Sequence, residues 1–298
     1  MAIASLAGKL FAEKAIAAAT RYITPLKDIA HRFDEAMHGN GDAITVPLFE
    51  AGEAQEFHDD YTAGADSASG IPIPLDKHFF KSKVFTDRDF QQCPVAFWQG
   101  AGIACGRAVG LKIDREVLGH INKTEIPKSN SGSEVVWNSF AKKSDFSKLS
   151  AYADALDFDP AESVLVLGPT PFAELLSLLD AHVYGGTEAV RLGMLVGGLY
   201  GFAGVVRSNS LKGGAENLNG AIVHRDAIGY AGAPLYPQST AVLEEHGLET
   251  DPESGLVIGI RRWGDAKSGK NYMTAEALFG AKLLQPKKIV RLVSGATA

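Results

Sequence analysis

Cysteine is almost missing from this chain: its 298 residues include two, Cys93 and Cys105. Two cannot form a disulfide framework, nor a zinc centre on their own. The residues around them read as one helix, which would set the two side chains roughly 18 Å apart along its axis. That excludes a bridge within the chain, so both read as small buried apolar groups in a reducing compartment. Basic runs are missing too. With 29 Lys and Arg against 35 Asp and Glu, the net charge is −6, and tight nucleic-acid binding is not implied. Nor is there a long apolar run. The longest uncharged one, "GMLVGGLYGFAGVV" at 193–206, falls short of the ~20 residues of a membrane helix. The opening "MAIASLAGKLFAEKAIAAATRY" is interrupted by Lys9, Glu13 and Lys14, unlike the unbroken apolar core of a signal peptide. Proline is sparse at 13 against 32 Gly, which rules out a collagen-like or disordered composition. No internal repeat is visible.

What is present is core material. Hydrophobic residues make up 46% of the chain, enough for one large domain or two smaller ones. Residues 1–24 read as a weakly amphipathic, Ala-rich helix that Pro25 interrupts. Leu26, Ile29, Ala30, Phe33 and Met37 then continue at helical spacing. This opening region has few bulky apolar side chains, and it is expected to pack against something other than its own core. "AITVPLF" and "IPIPLDK" alternate like strands, and their prolines demote both to edge positions. Between them lies an acidic stretch carrying Glu50, Glu53, Glu56, Asp59, Asp60 and Asp66 without Lys or Arg. A polar segment of that length between two strands tends to be functional or disordered, and it reads as a long projecting hairpin arm.

From Asp87 the spacing becomes helical. Pro94 sits in the first turn, and Val95, Trp98, Ile103, Val109, Ile113, Val117 and Ile121 keep one face apolar, with a break near Gly110. This predicts one long helix, above the usual length. The texture then changes. A helix carries Leu149, Tyr152, Ala153 and Leu156 and stops before Pro160. "SVLVLG" is a buried strand, and "TPFAELLSLL" is a helix capped by Thr170 with Glu174 near its positive end. "AIVHRDAIGYAGA" reads as a strand running into a small helix. Together these predict a second α/β module over about 146–240, followed by strands carrying Leu256, Ile258, Ile260 and residues 289–293.

Candidate sites are few. "GDAKSGKN" at 264–271 matches the phosphate-binding loop spacing up to Lys270, but Asn271 stands where a Ser or Thr hydroxyl would bind Mg²⁺. A solvated turn between antiparallel elements explains it better. The Gly-rich run with Gly197, Gly198, Gly201 and Gly204 does not give the dinucleotide-binding register and fits close backbone packing. Glu56, His58, Asp59 and Asp60 cluster in one acidic loop and read as solvated charge rather than metal ligands. His120, His182 and His224 lack a Ser or Cys neighbour that would suggest a nucleophile pair. No catalytic residue, cofactor-binding residue or metal ligand is therefore expected, and no cofactor.

The order of elements resembles the major capsid protein of tailed bacteriophages, with its Hong Kong 97 coat-protein fold. "ITVPLFEAGEAQEFHDDY…IPIPLDKHFFKSKVFTDRDF" is similar to the extended E-loop hairpin of that family, and "QQCPVAFWQGAGIACGRAVGLKIDREVLGHIN" to its spine helix. "SVLVLGPTPFAELLSL" and "GMLVGGLYGFAGVVRSNSL" resemble its axial domain, "AIVHRDAIGYA" the strand and short helix that follow, and "LFGAKLLQPKKIVRLV" the closing strand of its peripheral domain. The resemblance implies an α+β fold. Its parts are an N-terminal arm over 1–42, an E-loop hairpin over 43–86, a peripheral domain with the spine helix over 87–145, an axial domain over 146–245 and closing peripheral strands over 246–298.

The resemblance further implies a non-enzymatic virion protein, made in the bacterial cytoplasm. It would assemble with itself into hexamers and pentamers of an icosahedral shell around DNA, with scaffolding, portal or decoration proteins as further partners. Lys-mediated cross-linking in the E-loop is not expected, because residues 50–70 contain no Lys. Any scaffold would be a separate protein or absent. A shell that encloses cargo enzymes (the encapsulin type) shares this fold and is the alternative. A nucleotide enzyme using Lys270 is a more distant one.

Overall fold

Two helices set the architecture. α1 (Leu6–Ile23) lies along α4 (Val95–Gly119), and small residues on each make the contact. Gly102, Gly106 and Gly110 recur every four residues on α4 and face the backbone of Phe11, Ala15 and Ala19, which have the same spacing on α1. Residues four apart share a helix face, so the two backbones approach along matched stripes. A methyl group at Gly106 would overlap the Ala15 carbonyl oxygen, and one at Gly110 would lie 2.7 Å from the Ala19 oxygen.

Phe11, Ala15, Ala19 and Ile23 are fully buried in the main core, as are Leu26 and Ile29. The expectation that this segment packs away from its own core is therefore corrected for residues 6–30. Its alanines are the core surface, small because the partner helix is close. Gly110 likewise causes no break, since α4 runs through it. The predicted second helix shrinks to α2 (Leu26–Ile29) and gives way to β1 (His31–Arg32), which pairs parallel with β10 (Ile228–Ala233). Met37 lies outside the described residues. The computed structural model describes residues 6–33, 43–48, 69–92, 94–126, 134–137, 142–159, 161–178, 194–199, 201–211, 216–237, 243–251 and 254–295.

β2 (Ala43–Leu48) and β3 (Ser69–Pro74) form an antiparallel pair, as expected from their alternation. Ile44, Val46 and Ile73 turn inward and pack with Ala231 and Leu284, while Thr45, Pro47 and Pro72 are exposed. β4 (Lys77–Thr86) leaves this hairpin and pairs along β13 (Lys270–Leu283). Its own alternation is masked because Lys81 and Lys83 share the α4-facing side with Phe79 and Phe85, while Phe80 and Val84 are exposed on the other. α3 (Asp87–Gln92) then leads to α4. Pro94 is the N-cap of α4, just outside the first turn, with extended φ −69° and ψ 160°.

Among the described residues the first large sheet runs β1-β10-β13-β12-β11, with β12 spanning Val257–Asp265 and β11 spanning Glu245–Thr250, and β4 on β13. The second runs β5-β14-β9-β6-β8-β7. Its strands are β5 (Glu134–Val136), β6 (Ser163–Leu167), β7 (Met194–Leu199), β8 (Phe202–Arg207), β9 (Leu218–His224) and β14 (Ile289–Val293). β6 is central and buried on both faces, which is why it reads as an unbroken apolar run. Val164 and Val166 face the main core, and Leu165 and Leu167 face a second core with Phe146, Leu149, Phe172 and Leu175 of the two covering helices. Those helices are α5 (Lys143–Asp154) and α6 (Pro169–Leu178). Thr170 does not cap α6, because the helix already begins at Pro169 and Phe172 N–H bonds to Gly168 O at 3.1 Å.

Sheet membership crosses the expected segments. Ile228–Ala233, placed by sequence with the axial module, belongs to the first sheet, and Ile289–Val293, placed with the peripheral strands, belongs to the second. Besides the passage from β4 through α4 to β5, the chain passes between the sheets at two short 3-10 turns, Arg225–Ala227 and Pro286–Lys288. The first of these stands where a small α-helix is predicted.

Candidate functional site

"GDAKSGKN" is the hairpin turn between antiparallel β12 and β13. Asp265 organises it: its carboxylate accepts from Lys267 N at 3.0 Å and from Ser268 Oγ at 2.6 Å. Those bonds hold its pKa below the ordinary carboxylate value, the Ser268 hydroxyl contributing most. Gly269 takes φ +61°, a conformation that favours glycine. Asn271 Nδ2 donates to Asp87 Oδ1 at 2.7 Å, and Asp87 N–H donates to Gly269 O at 3.2 Å. The turn is thus tied to the start of α3. A phosphate loop needs a helix N-terminus behind it, and here a strand follows. The Gly-rich run folds as a second hairpin, β7 to β8, turning at Gly201 with φ +84°.

The acidic loop, with Glu56, His58, Asp59 and Asp60, lies outside the described residues, as do His182 and Cys93. Cys105 is buried on α4, and burial pushes its thiol up to about 11. His120 pairs with Glu125 at 2.7 Å. His224 is not isolated. Its side chain is 5% exposed, with Nε2 3.4 Å from Glu162 and Nδ1 3.9 Å from Asp226. Asp226 also lies 3.3 Å from His31 Nδ1 and 3.4 Å from Lys288 Nζ. Burial, and then the charge of Lys288, hold His224 below its ordinary pKa, so the ring is neutral at neutral pH. Sequence spacing could not bring these residues together, because four separate elements supply them.

The remaining candidate features are surfaces. β4 pairs on one side only among the described residues. It exposes Phe80 at 65% and Val84 at 52%, together with Lys81 and Lys83. Phe80 and Val84 point to the sheet face opposite α4, where Val84 lies opposite Tyr272 and Tyr272 opposite Trp263. The Trp263 and Tyr272 rings stack at 5.2 Å. Val136 and Tyr236 are exposed as well. Lysines on an unpaired strand edge discourage indiscriminate pairing, while contiguous exposed apolar groups mark interaction surfaces.

No protein-family model and no curated protein matches the sequence. The fold does match solved structures. One from Mycobacterium phage Che8 is 17% identical with a TM-score of 0.56, covering 91% of this chain and 90% of that one. The capsid structure of cyanophage P-SCSP1u is 13% identical with a TM-score of 0.55, covering 89% and 86%. A virus-like particle from Pyrococcus furiosus is 14% identical with a TM-score of 0.52, covering 94% and 98%. This chain has the mixed α/β fold of phage capsid structures.

Proposed function

We propose that this chain is the structural subunit of a closed shell, a major capsid protein of a tailed bacteriophage of the Hong Kong 97 type. The observation that carries the proposal is the fold, shared over 91% of this chain and 90% of the Che8 chain. In this assignment α4 is the spine helix and the first sheet is the body of the peripheral domain. The second sheet with α5 and α6 is the axial domain, and β2–β3 is the base of the E-loop. The chain performs no catalysis of its own. It assembles into hexamers and pentamers around DNA that it holds without reading sequence, in a virion made in the bacterial cytoplasm. Scaffolding, portal or decoration proteins are the expected partners.

The one-sided β4 and its exposed Phe80 and Val84 support self-association. Each contact in such a lattice can be weak, because a closed assembly repeats it many times.

Sizing chromatography of the purified chain followed by negative-stain electron microscopy tests the proposal. Closed shells or five- and six-fold rings are the expected result. A dispersed monomer at every concentration, with and without the neighbouring structural proteins of its genome, would overturn it. The P. furiosus particle, matched over 98% of its chain, favours a second reading as a shell around protein cargo. Nuclease-protected DNA in the particles supports the phage assignment, and a co-purifying enzyme in DNA-free particles supports the second.

A further inference from the structure

The two faces of the first sheet carry different surfaces. One exposes Phe80 and Val84 beside the stacked Trp263 and Tyr272 rings, and there Glu276 is paired with His78 at 3.0 Å and with Arg261. The other face carries α1 and α4, and its charge is unbalanced. α1, α4 and β4 together hold nine Lys and Arg against three Asp and Glu, while the rest of the chain holds 20 against 32. All three acidic groups are engaged locally: Glu13 with Lys14 at 2.8 Å, Glu116 with Lys77 at 3.9 Å, and buried Asp114 with Ser208 and Ser210. We infer that the α4–β4 side of the first sheet is the face that meets packaged DNA, with Lys81, Lys83, Arg107, Lys112 and Arg115 as its phosphate contacts. The inference rests on the shell reading above and adds the face and the residues.

All five side chains are exposed, and none forms an ion pair among the described residues. They are grouped. β4 runs along α4, so that Lys77 meets Glu116 and Lys112 Nζ sits 5.5 Å from the centre of the Phe79 ring. Farther along, Lys81 and Lys83 lie within electrostatic reach of Cys105. Arg107 and Arg115 occupy exposed positions of α4 in the same stretch, roughly 12 Å apart along the helix axis.

Each phosphate that such a cation neutralises releases a condensed counterion, which drives binding without regard to sequence. Contacts of this kind position a protein on DNA and carry no sequence information. They can be weak in one subunit, because a shell repeats them around one genome. The acidic stretch 50–66 of a neighbouring copy has complementary charge as well. The cations, however, lie on a strand and a helix side by side, a strip wider than the roughly 5 Å that one extended chain occupies. A duplex, with a negative charge about every 1.7 Å of its axis, covers that strip.

The test titrates the full chain into a short fluorescein-labelled DNA duplex and reads anisotropy. Sequence-independent binding is expected, with a dissociation constant of about 10⁻⁴–10⁻⁶ M that weakens steeply between about 50 and 200 mM salt. Lys81→Gln combined with Lys83→Gln should lower the slope of log K against log salt by about 2 and weaken binding at least about tenfold at the low-salt end. Lys287→Gln, at an exposed lysine of the second 3-10 turn, is the control and should change neither. Circular dichroism of each variant checks the fold. No binding at low salt, or binding and slope unchanged in the double variant, would overturn the inference. So would displacement of the duplex by a lower concentration of a synthetic peptide of residues 50–66, which would make the strip a contact between copies. Electron microscopy of the same preparations keeps the two readings apart. Shells whose subunits ignore duplex sink this inference alone, whereas duplex binding through these lysines by a chain that never assembles sinks the shell reading and leaves the strip a DNA-binding face.

Discussion

The α1–α4 pair and the β2–β3 hairpin are both built largely from small or turn-forming residues, yet they are held in opposite ways. In the helix pair the small residues face each other, so each alanine and glycine lets two backbones touch and both helices are buried in the main core. In the hairpin, Ile44, Val46 and Ile73 are the buried residues among those described, at the base, while Thr45, Pro47 and Pro72 are exposed. An isolated two-stranded ribbon is marginal in water, so the hairpin depends on that base and, in the proposed shell, on a neighbouring copy. Smallness therefore means close packing in one region and little packing in the other. Composition alone does not distinguish them.

Gly106→Leu should break the comparison hardest. Its side chain would meet the Ala15 backbone rather than a flexible neighbour, and a loss of at least about 3 kcal/mol is expected in urea unfolding. Ile73→Ala removes the fully buried residue of the hairpin base and should cost about 2 kcal/mol. If the two losses were equal, the hairpin would be as deeply anchored as the helices.

Asp114 sharpens the picture of α4 on its other side. It is buried and accepts hydrogen bonds from Ser208 and Ser210, the latter very short. Burial raises its pKa above the ordinary value of 3.8. A carboxyl raised in the folded state contributes stability that is present below its unfolded value and lost as pH rises through its folded one. Lowering the pH from neutral towards 4 should thus move the stability difference between wild type and Asp114→Asn in favour of wild type. Urea midpoints at several pH values check this, and a difference that does not vary with pH would count against a costly buried charge.

Replacing residues 52–68 by a short Gly-Ser link should change monomer stability by no more than about 1 kcal/mol and yet impair assembly, read by electron microscopy. Normal shells from that variant would remove the arm from the proposed mechanism. The smallest effect is expected for Lys270→Ala, within about 0.5 kcal/mol as for an exposed surface position.

Legibility followed the range of the interactions. α4 was readable because its apolar stripe is a local period, and β6 because burial on both faces makes a continuous apolar run. The turn at 264–271 was readable because Asp, Ser and Gly serve its own hydrogen bonds. β4 was not, since lysines on its core-facing side and exposed Phe80 and Val84 on the other hide the alternation, and its partner β13 is far along the chain. The role of the Ala and Gly stripes was missed for a different reason. Their four-residue spacing was visible, but small residues signal close approach only when two stripes are matched. The His31–Asp226 contact has no local signal at all, since the two residues are 195 apart in the chain.

By itself the sequence determined the local matters: where helices and strands can form, which turns close them, that no described helix is long and apolar enough to cross a membrane, and the order of elements on which the capsid resemblance rests. Each depends on residues a few positions apart. Only the tertiary structure decided which sheet receives β10 and β14, that α1 belongs to the main core, and that three distant segments bring His31, Glu162 and Lys288 to the His224–Asp226 turn. Those outcomes depend on burial and pairing between segments separated by up to about two hundred residues, where the free energy gained by contact, rather than any local preference, selects the partner.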